Sequence, residues 1–480
     1  METVINVNND EQFQKEQTQL LKTILNYRFF YPWKKLELDP NSDTALWNCS
    51  DLELYITAEC NQNCEYCYIT NPQIYPRDKM GHENIIHNLR LLYDYIMINN
   101  FHIPTLDMFS GEIWHSQLGL DVLEVTLEYL RKGMMIDHIL IPSNCSFVMN
   151  DEHLQKIQEK INMIHTYTPC HVSFSISVDG AIIDNFMRPR NNKVEYTEEF
   201  YDRLFTFAKV NGYLFHPMVA SGSVHLWKEN YEWWKKKLKE YNINSYIFDN
   251  VMALEVRNND WTAQSIKDYC DFINYIMEDF FINDCNSDVQ TFSTTLCNVR
   301  GFENSSKFVY GGYVPWSLSK VDKIQSCTVG QTLTVRLGDL AICPCHRMAY
   351  DSYLYGQFVV ENDKITDIVA LNPIPAIKIF MGNAFTSTPI CNDCYINDYC
   401  FKGCLGSQLE TNKDPFFPIN CVCLLFKEKQ HAIIEFLRKH GIIQFLSSIS
   451  AQELNSEFAL DILQAERLDK EKYENELGTY

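Results

Sequence analysis

The stretch Cys60-Asn61-Gln62-Asn63-Cys64-Glu65-Tyr66-Cys67 places three cysteines within one short segment of a 480-residue chain. It comes just after residues 52–57, whose near-alternation and β-branched content predict a strand. The three thiols are therefore predicted to lie on a loop at the carboxyl end of that strand. Thiolates at this spacing suit zinc or an iron–sulfur cluster, each of which needs four ligands. No fourth cysteine or histidine follows nearby, so either a distant residue completes the site or one metal position is open to a small molecule.

This loop resembles the signature of the radical S-adenosylmethionine (radical SAM) superfamily, CxxxCxxC with an aromatic residue, here Tyr66, before the last cysteine. The resemblance implies that Cys60, Cys64 and Cys67 hold a catalytic [4Fe-4S] cluster whose fourth iron is chelated by SAM. An electron from the cluster then cleaves SAM to methionine and a 5′-deoxyadenosyl radical, which abstracts a hydrogen atom from the substrate. The alternative from the residues alone is a structural zinc site.

The composition argues against several partners. The formal net charge of −21 and a pI of about 5.0 make a nucleic acid an unlikely partner on electrostatic grounds. Residues 1–19 lack the pattern of a signal peptide, and no apolar run reaches the ~18 residues of a membrane helix. These features predict a cytoplasmic protein with no membrane partner. In that reducing compartment, 18 cysteines favour metal binding over disulfides.

Strand-like and helix-like segments alternate between residues 52 and 282. The predicted strands are 52–57, 105–109, 138–142, 171–178, 213–220 and 245–248. The predicted helices are 83–99, 118–131, 151–162, 197–211, 227–241 and 262–281. Repeated βα units predict an α/β fold with a parallel sheet and with sites at the carboxyl ends of the strands. The family resemblance implies a partial (β/α)6 TIM-type barrel, although a doubly wound open sheet gives the same pattern.

The loops after the later strands supply candidate cofactor-binding residues. Ser110-Gly111-Glu112 resembles the GGE motif of the family, which binds the amino group of SAM, with serine in place of the first glycine. Asn144 lies where the family often has Thr-Asn-Gly. Ser177-Val178-Asp179-Gly180 resembles the Ser-x-Asp-Gly of peptide-modifying members, where the serine lies near SAM. By the same resemblance Arg188, with Arg190 as the alternative, meets the SAM carboxylate.

A second group of cysteines begins at Cys327, and Cys343 closes a predicted hairpin over residues 329–342. Cys391, Cys394, Cys400 and Cys404 follow with the spacing CxxCx5CxxxC, and Cys421 and Cys423 come after a gap. From spacing alone these cysteines also suit a pair of structural zinc sites. The whole pattern resembles the SPASM domain, which implies two auxiliary [4Fe-4S] clusters.

The resemblance also implies a ligand set for each auxiliary cluster. Cys327, Cys343 and Cys404 would hold the first cluster, and Cys391, Cys394, Cys400 and either Cys423 or Cys421 would hold the second. Some family members have a further cysteine at the position of Val321. The fourth ligand of the first cluster is then Cys345 or Cys297, or the site is open to substrate.

These features predict four regions and a reaction class. Residues 1–50 form an extension with a helix near 11–27, 51–285 the barrel, 286–425 a small SPASM domain with β-hairpins and short helices, and 426–480 a helical tail. The resemblance implies a maturase that abstracts hydrogen from a Cα or Cβ of a ribosomally made precursor peptide and forms a thioether or C–C cross-link. One alternative is a sulfatase-maturing, formylglycine-generating enzyme, and another is a non-catalytic iron–sulfur or zinc scaffold.

The implied partners are the precursor peptide or protein and a flavodoxin- or ferredoxin-type reductant. Residues 1–50 are too short for a leader-recognition domain of roughly 80–90 residues, judged against ordinary domain sizes. Leader binding is therefore expected to use a separate protein or another surface of this chain.

Overall fold

The computed structural model describes residues 7–30, 36–37, 45–46, 51–70, 81–190, 196–243, 253–255, 261–279, 332–380, 389–392, 394 and 404–440. The predicted strand 245–248 and the cysteines Cys297, Cys327 and Cys400 lie outside these residues. The chain divides into two compact units. The first comprises residues 1–63, 67–175 and 328–384, and the second comprises 64–66, 176–327 and 385–480.

The structure has thirteen strands in its described residues, numbered in chain order. They are β1 (Leu36–Glu37), β2 (Ala45–Leu46), β3 (Asp51–Tyr55), β4 (His102–Asp107), β5 (Met135–Ser143), β6 (His171–Ile176), β7 (Leu214–Phe215), β8 (Met218–Ala220), β9 (Ala253–Glu255), β10 (Thr332–Arg336), β11 (Ala341–Cys343), β12 (Gly356–Glu361) and β13 (Lys364–Ala370). The helices are α1 (Val7–Phe30), α2 (His82–Ile98), α3 (Gln117–Arg131), α4 (Asp151–Tyr167), α5 (Asp184–Met187), α6 (Glu198–Asn211), α7 (Trp227–Tyr241), α8 (Ala263–Glu278), α9 (Pro373–Phe380), α10 (Pro389–Asn392), α11 (Leu405–Asn412) and α12 (Asn420–Lys439).

The first unit is built on a mixed sheet with the strand order β13-β12-β11-β10-β3-β4-β5-β6. The strands β3, β4 and β5 pair in parallel, as the βα alternation predicts. Residues 52–55 of β3 are all buried, which is typical of a strand covered on both faces of a parallel sheet. The helices α2 and α3 pack against each other, and so do α3 and α4.

The predicted hairpin within residues 329–342 exists as β10 and β11, which pair antiparallel. β10 also pairs in parallel with β3, in the register Thr334 with Glu53. The antiparallel strands β11, β12 and β13 continue the same sheet. The first part of the cysteine-rich region therefore extends the sheet that carries the cysteine loop.

The second unit contains α6, α7, α8 and α12, and its core is aromatic. Trp227, Tyr231 and Trp234 of α7 are fully buried, and Trp227 packs against Phe272 of α8. The predicted strand 213–220 is wrong in one respect, because the structure has the two short strands β7 and β8 instead. His216 and Pro217 separate them, since proline has no N–H to donate to a sheet ladder. Among the helices that the structure describes, none is long and apolar enough to cross a membrane.

Candidate functional site

The cysteine loop begins directly after β3, as predicted. Cys60, Cys64 and Cys67 are half-buried and form no disulfide. Residues 64–66 belong to the second unit, whereas Cys60 and Cys67 belong to the first. Within the described part of the chain, no group of three or more His, Cys, Asp or Glu side chains is close enough to hold a metal ion. A shared ligand role for the three thiols therefore remains a prediction.

Gly111 brings the loop after β4 against the cysteine loop in the first unit. A Cβ at this position would lie 2.2 Å from the carbonyl oxygen of Glu59. The Gly111 amide donates to Thr57 O, and the Glu112 amide donates to Glu59 O, both at 2.7 Å. Glycine is thus needed for the close approach of two backbone segments, in addition to any approach of a ligand.

Glu112 is buried, and its carboxylate organises the end of β5. It accepts hydrogen bonds from the Asn144 amide at 2.5 Å, from Ser143 Oγ at 3.0 Å and from the Trp114 amide at 3.1 Å. Asn144 Nδ2 in turn donates to Asn61 Oδ1 at 2.8 Å. Asn61 is part of the cysteine loop, so the Glu112–Asn144 pair holds the residue that follows Cys60.

Ser110 provides a test of whether these residues fit SAM. Its hydroxyl is buried and has no hydrogen-bond partner among the described residues. A buried polar atom without a partner costs about 1–3 kcal/mol, and a bound polar ligand would remove that cost. The unsatisfied Ser110 hydroxyl, two residues before Glu112 in the chain, therefore fits a polar ligand such as one that carries an ammonium group.

In the second unit, Tyr66 lies at the centre of a buried polar network. Its hydroxyl donates to Asp179 Oδ2 at 2.7 Å and accepts from Arg188 Nη1 at 2.6 Å. Burial raises the pKa of Asp179 to about 7, although the positive charge of Arg188 opposes this shift. Arg188 also lies within ion-pair distance of Asp179 and Asp184. Gly180 has a φ of +119°, and a Cβ there would meet Asn230 Oδ1 at 2.4 Å.

The two candidate arginines differ in their surroundings. Arg188 is held by Tyr66 and two carboxylates. The buried guanidinium of Arg190 lies over the rings of Tyr196, at 4.2 Å, and Phe200, at 4.5 Å. Its Nε and Nη2 atoms have no hydrogen-bond partner in the part of the chain that the structure describes. Arg190 is therefore better able than Arg188 to donate hydrogen bonds to an anion. Ser177, the candidate residue just after β6, is half-buried.

A buried polar group on the sheet of the first unit was not predicted from the sequence. Glu53 is buried and accepts hydrogen bonds from Thr334 Oγ1 at 2.7 Å and from the amide of His346 at 3.0 Å. A further hydrogen bond of 2.5 Å joins Glu53 Oε2 to His346 Nδ1. Burial raises the pKa of Glu53, but the contacts with His346 and Thr334 outweigh burial and lower it. A glutamate between two leucines of a buried strand is the sequence signal that could have indicated this group.

Aromatic rings and a second carboxylate lie beside the Glu53–His346 pair. The His346 ring stacks on Phe109 at 4.1 Å and on Tyr68, the residue after Cys67, at 5.7 Å. Asp107 is the register partner of Glu53 in β4, and burial, followed by the charge of Glu53, raises its pKa well above the usual range. The strands β3 and β4 thus carry two neighbouring buried carboxyl groups whose pKa values are shifted in opposite directions.

The described cysteines of the second group lie in both units. Cys343 and Cys345 are buried in the first unit, where burial raises the pKa of Cys343 to about 12. Cys391, Cys394, Cys404, Cys421 and Cys423 are half-buried in the second unit. The Cys394 amide donates to Cys391 O at 3.2 Å, which closes the CxxC turn. Because Cys421 and Cys423 are two residues apart on α12, their side chains point to different sides, so only one of them can face a given cluster.

No protein-family model and no curated protein sequence matches the chain. Solved structures share its fold. Native anSMEcpe with bound AdoMet and Cp18Cys peptide has a TM-score of 0.51 and 15% identity, over 82% of this chain and 98% of that chain. Native anSMEcpe with bound AdoMet has a TM-score of 0.50 and 14% identity, over 83% of this chain and 100% of that chain. The anSMEcpe protein is a radical SAM/SPASM anaerobic sulfatase-maturating enzyme. The chain therefore has the fold of a radical SAM/SPASM enzyme, and the predicted α/β fold class is confirmed.

Proposed function

We propose that the chain is a radical SAM enzyme that modifies a peptide or protein. The observation that carries the proposal is the fold shared with an AdoMet-bound enzyme, in a chain whose CxxxCxxC loop begins at the end of β3. In this proposal Cys60, Cys64 and Cys67 hold the [4Fe-4S] cluster that binds SAM. When bound, the cluster and SAM together supply a 5′-deoxyadenosyl radical.

The surrounding residues have separate roles in the proposal. Glu112 and Ser110 receive the amino group of SAM, since one offers a carboxylate and the other an unsatisfied hydroxyl. Arg190 binds the SAM carboxylate in preference to Arg188, because the charge of Arg188 is already used within the chain. Tyr66, Asp179 and Arg188 hold the last part of the cysteine loop, and Asn144 holds the first part. The remaining residues that we propose to lie at the SAM site are Ser177 and Gly111.

We also propose that the second cysteine group holds two auxiliary [4Fe-4S] clusters. Cys327, Cys343 and Cys404 bind the first cluster, and Cys345 is the favoured fourth ligand because it is buried two residues from Cys343. Cys391, Cys394, Cys400 and one of the pair Cys421 and Cys423 bind the second. A flavodoxin- or ferredoxin-type protein supplies the electrons.

The substrate is proposed to be a peptide or protein that loses hydrogen from a Cα or Cβ. The first candidate reaction, implied by the family resemblance, is a thioether or C–C cross-link on a precursor peptide. The likeness to anSMEcpe, whose structure carries the Cp18Cys peptide, instead favours the second candidate, the formylglycine route. In that route a cysteine or serine of the target is oxidised to an aldehyde.

Metal analysis tests the class of the protein. Chain reconstituted without oxygen is assayed for iron, acid-labile sulfide and zinc, and its electron paramagnetic resonance (EPR) spectrum is recorded after reduction. Three clusters of four irons require about twelve irons per chain. Stoichiometric zinc without iron would instead identify a zinc scaffold and reject the proposal.

Mass spectrometry of the product distinguishes the two candidate reactions. The reconstituted chain is incubated with SAM, dithionite and the Cp18Cys peptide that anSMEcpe binds. Formylglycine formation removes the sulfur of the target cysteine, whereas a thioether cross-link retains sulfur and removes only hydrogen. A peptide that returns unchanged, while a peptide encoded beside this chain gains a cross-link, would favour the first candidate.

A further inference from the structure

Two adjacent tryptophans of α7, Trp233 and Trp234, join the Asp179 segment to a buried tyrosine of α6 in the second unit. Trp234 Nε1 donates to Asp179 O at 2.9 Å, and the ring centroids of this tryptophan pair are 5.1 Å apart. The ring of Tyr201 lies 4.8 Å from that of Trp233. These are the distances of directly packed aromatic pairs. Electrons pass readily between redox-active rings in such contact.

The hydroxyl of Tyr201 has a buried carboxylate as its partner. It donates to Asp184 Oδ2 at 2.7 Å, and both residues are buried. The amides of Asp179 and Gly180 also donate to this carboxylate, which fixes its position. Burial raises the pKa of Asp184, so its carboxylate takes up a proton more readily than an exposed one. A phenol gives up an electron most easily when its proton passes at the same time to a base within hydrogen-bond reach.

The indole N–H groups of the tryptophan pair are placed differently. Trp233 Nε1 is buried and has no hydrogen-bond partner in the part of the chain that the structure describes. Trp234 Nε1 donates to a backbone carbonyl oxygen, which is too weak a base to take its proton. An oxidised indole in this setting keeps its proton and stays a radical cation. The radical cation is a stronger oxidant than the neutral indole radical, and a phenol beside it is its natural reductant.

We propose that Tyr201 is a redox-active residue that reduces an oxidised Trp233 and passes its proton to Asp184. One electron moves from the phenol to the indole radical cation, and the phenol proton moves to the carboxylate. The products are a neutral indole, a neutral tyrosyl radical and a protonated Asp184. One electron from the flavodoxin- or ferredoxin-type reductant, with the proton from Asp184, then restores the tyrosine and the carboxylate.

The use of this step rests on the proposed function, which makes the chain an iron–sulfur enzyme. Peroxide forms hydroxyl radicals at reduced iron. A hydroxyl radical that takes one electron from the tryptophan pair and one proton from solvent becomes water. Because Tyr201 then refills the indole, the oxidation ends on one buried phenol that the reductant of the enzyme restores.

Pulse radiolysis of the metal-free full chain tests the step. Azide radicals each take one electron from an indole, and the absorption of the indole radicals is followed as that of tyrosyl radicals replaces it. We expect a fast phase that is independent of protein concentration and slower in D2O. Tyr201→Phe and Trp233→Phe should each lose this phase. Tyr129→Phe is the control and should keep it: the Tyr129 hydroxyl also donates to a carboxylate, that of Asp94, at 2.7 Å, but its ring packs on Tyr93 at 5.3 Å.

A packing role alone for Tyr201 predicts another result, since phenylalanine keeps the ring and its contacts. The fast phase would then persist in Tyr201→Phe, and that outcome would overturn the inference. Loss of the phase in only one of the two variants would also overturn it, because the step needs both rings. Urea unfolding checks that each variant folds. The experiment uses no metal, so a failure here leaves the proposed function intact, whereas a reconstituted chain without iron would reject that function alone.

Discussion

Tyr66 Oη donates a hydrogen bond of 2.7 Å to Asp179 Oδ2, which ties the aromatic residue of the cysteine loop to the segment that follows β6. The Glu65 amide adds a second tie through Met187 O at 2.9 Å. Asp179 itself is fixed by its neighbours, because its other oxygen accepts from the Met218 amide at 2.7 Å. The position of residues 64–66 is therefore set by a fully buried carboxylate.

Tyr66→Phe should destabilise the metal-free chain. The change leaves the buried Asp179 and Arg188 without the hydroxyl that joins them, at a cost of about 1–3 kcal/mol. Urea unfolding measures this loss. Tyr129→Phe is the control, because its hydroxyl donates to the exposed Asp94 at 2.7 Å, and the cost there should stay below about 1 kcal/mol. Equal losses in the two variants would contradict the network role of Tyr66.

The pKa of Asp179 predicts a pH dependence of stability. Burial raises this pKa to about 7, whereas the unfolded chain releases the proton near pH 3.8. The folded state holds the proton that the unfolded state has lost, so the free energy of unfolding should fall as the pH rises from about 4 to about 7. Asp179→Asn should lack this slope. Parallel curves for the two metal-free proteins across that window would exclude the shifted pKa.

Gly111→Ala should be strongly destabilising, with a loss above about 3 kcal/mol, because neither backbone segment at the contact can move alone. The added Cβ would lie 2.2 Å from Glu59 O and 2.9 Å from the carbonyl carbon of Ala58. Gly81→Ala is the control, since nothing lies within 4 Å of its added Cβ, and the expected change is within about 1 kcal/mol. Thermal or urea unfolding measures both. A tolerated alanine at position 111 would show that the close approach is not required.

Glu53→Leu tests the buried pair on the sheet. The substitution leaves the hydroxyl of Thr334 and two nitrogen atoms of His346 without their acceptor, and we expect a loss of about 3–5 kcal/mol. Asp137→Asn is a matched control at the exposed His102–Asp137 pair, where the loss should be about 1 kcal/mol or less. A smaller loss at Glu53 than at Asp137 would argue against the pair as a structural element.

Helices and strands with a regular spacing of apolar residues could be predicted from the sequence. Residues 227–241 form α7 as predicted, since their apolar spacing has the helical period over its whole length. The sequence could not predict the pairing of β10 with β3, or the contact between Glu53 and His346, because 293 residues separate that pair. Neither could it distinguish Arg188 from Arg190, since the difference lies in which buried partners each one meets.

SAM cleavage is the most direct test of the central claim that the loop 60–67 binds a SAM-cleaving cluster. The reconstituted chain is mixed with SAM and dithionite without oxygen, and 5′-deoxyadenosine is measured by chromatography. Wild type and Cys170→Ala, which removes a buried free thiol outside the motif, should both form it, and Cys60→Ala should not. Cleavage by Cys60→Ala at the wild-type rate, or no cleavage by an iron-loaded wild type, would contradict the account.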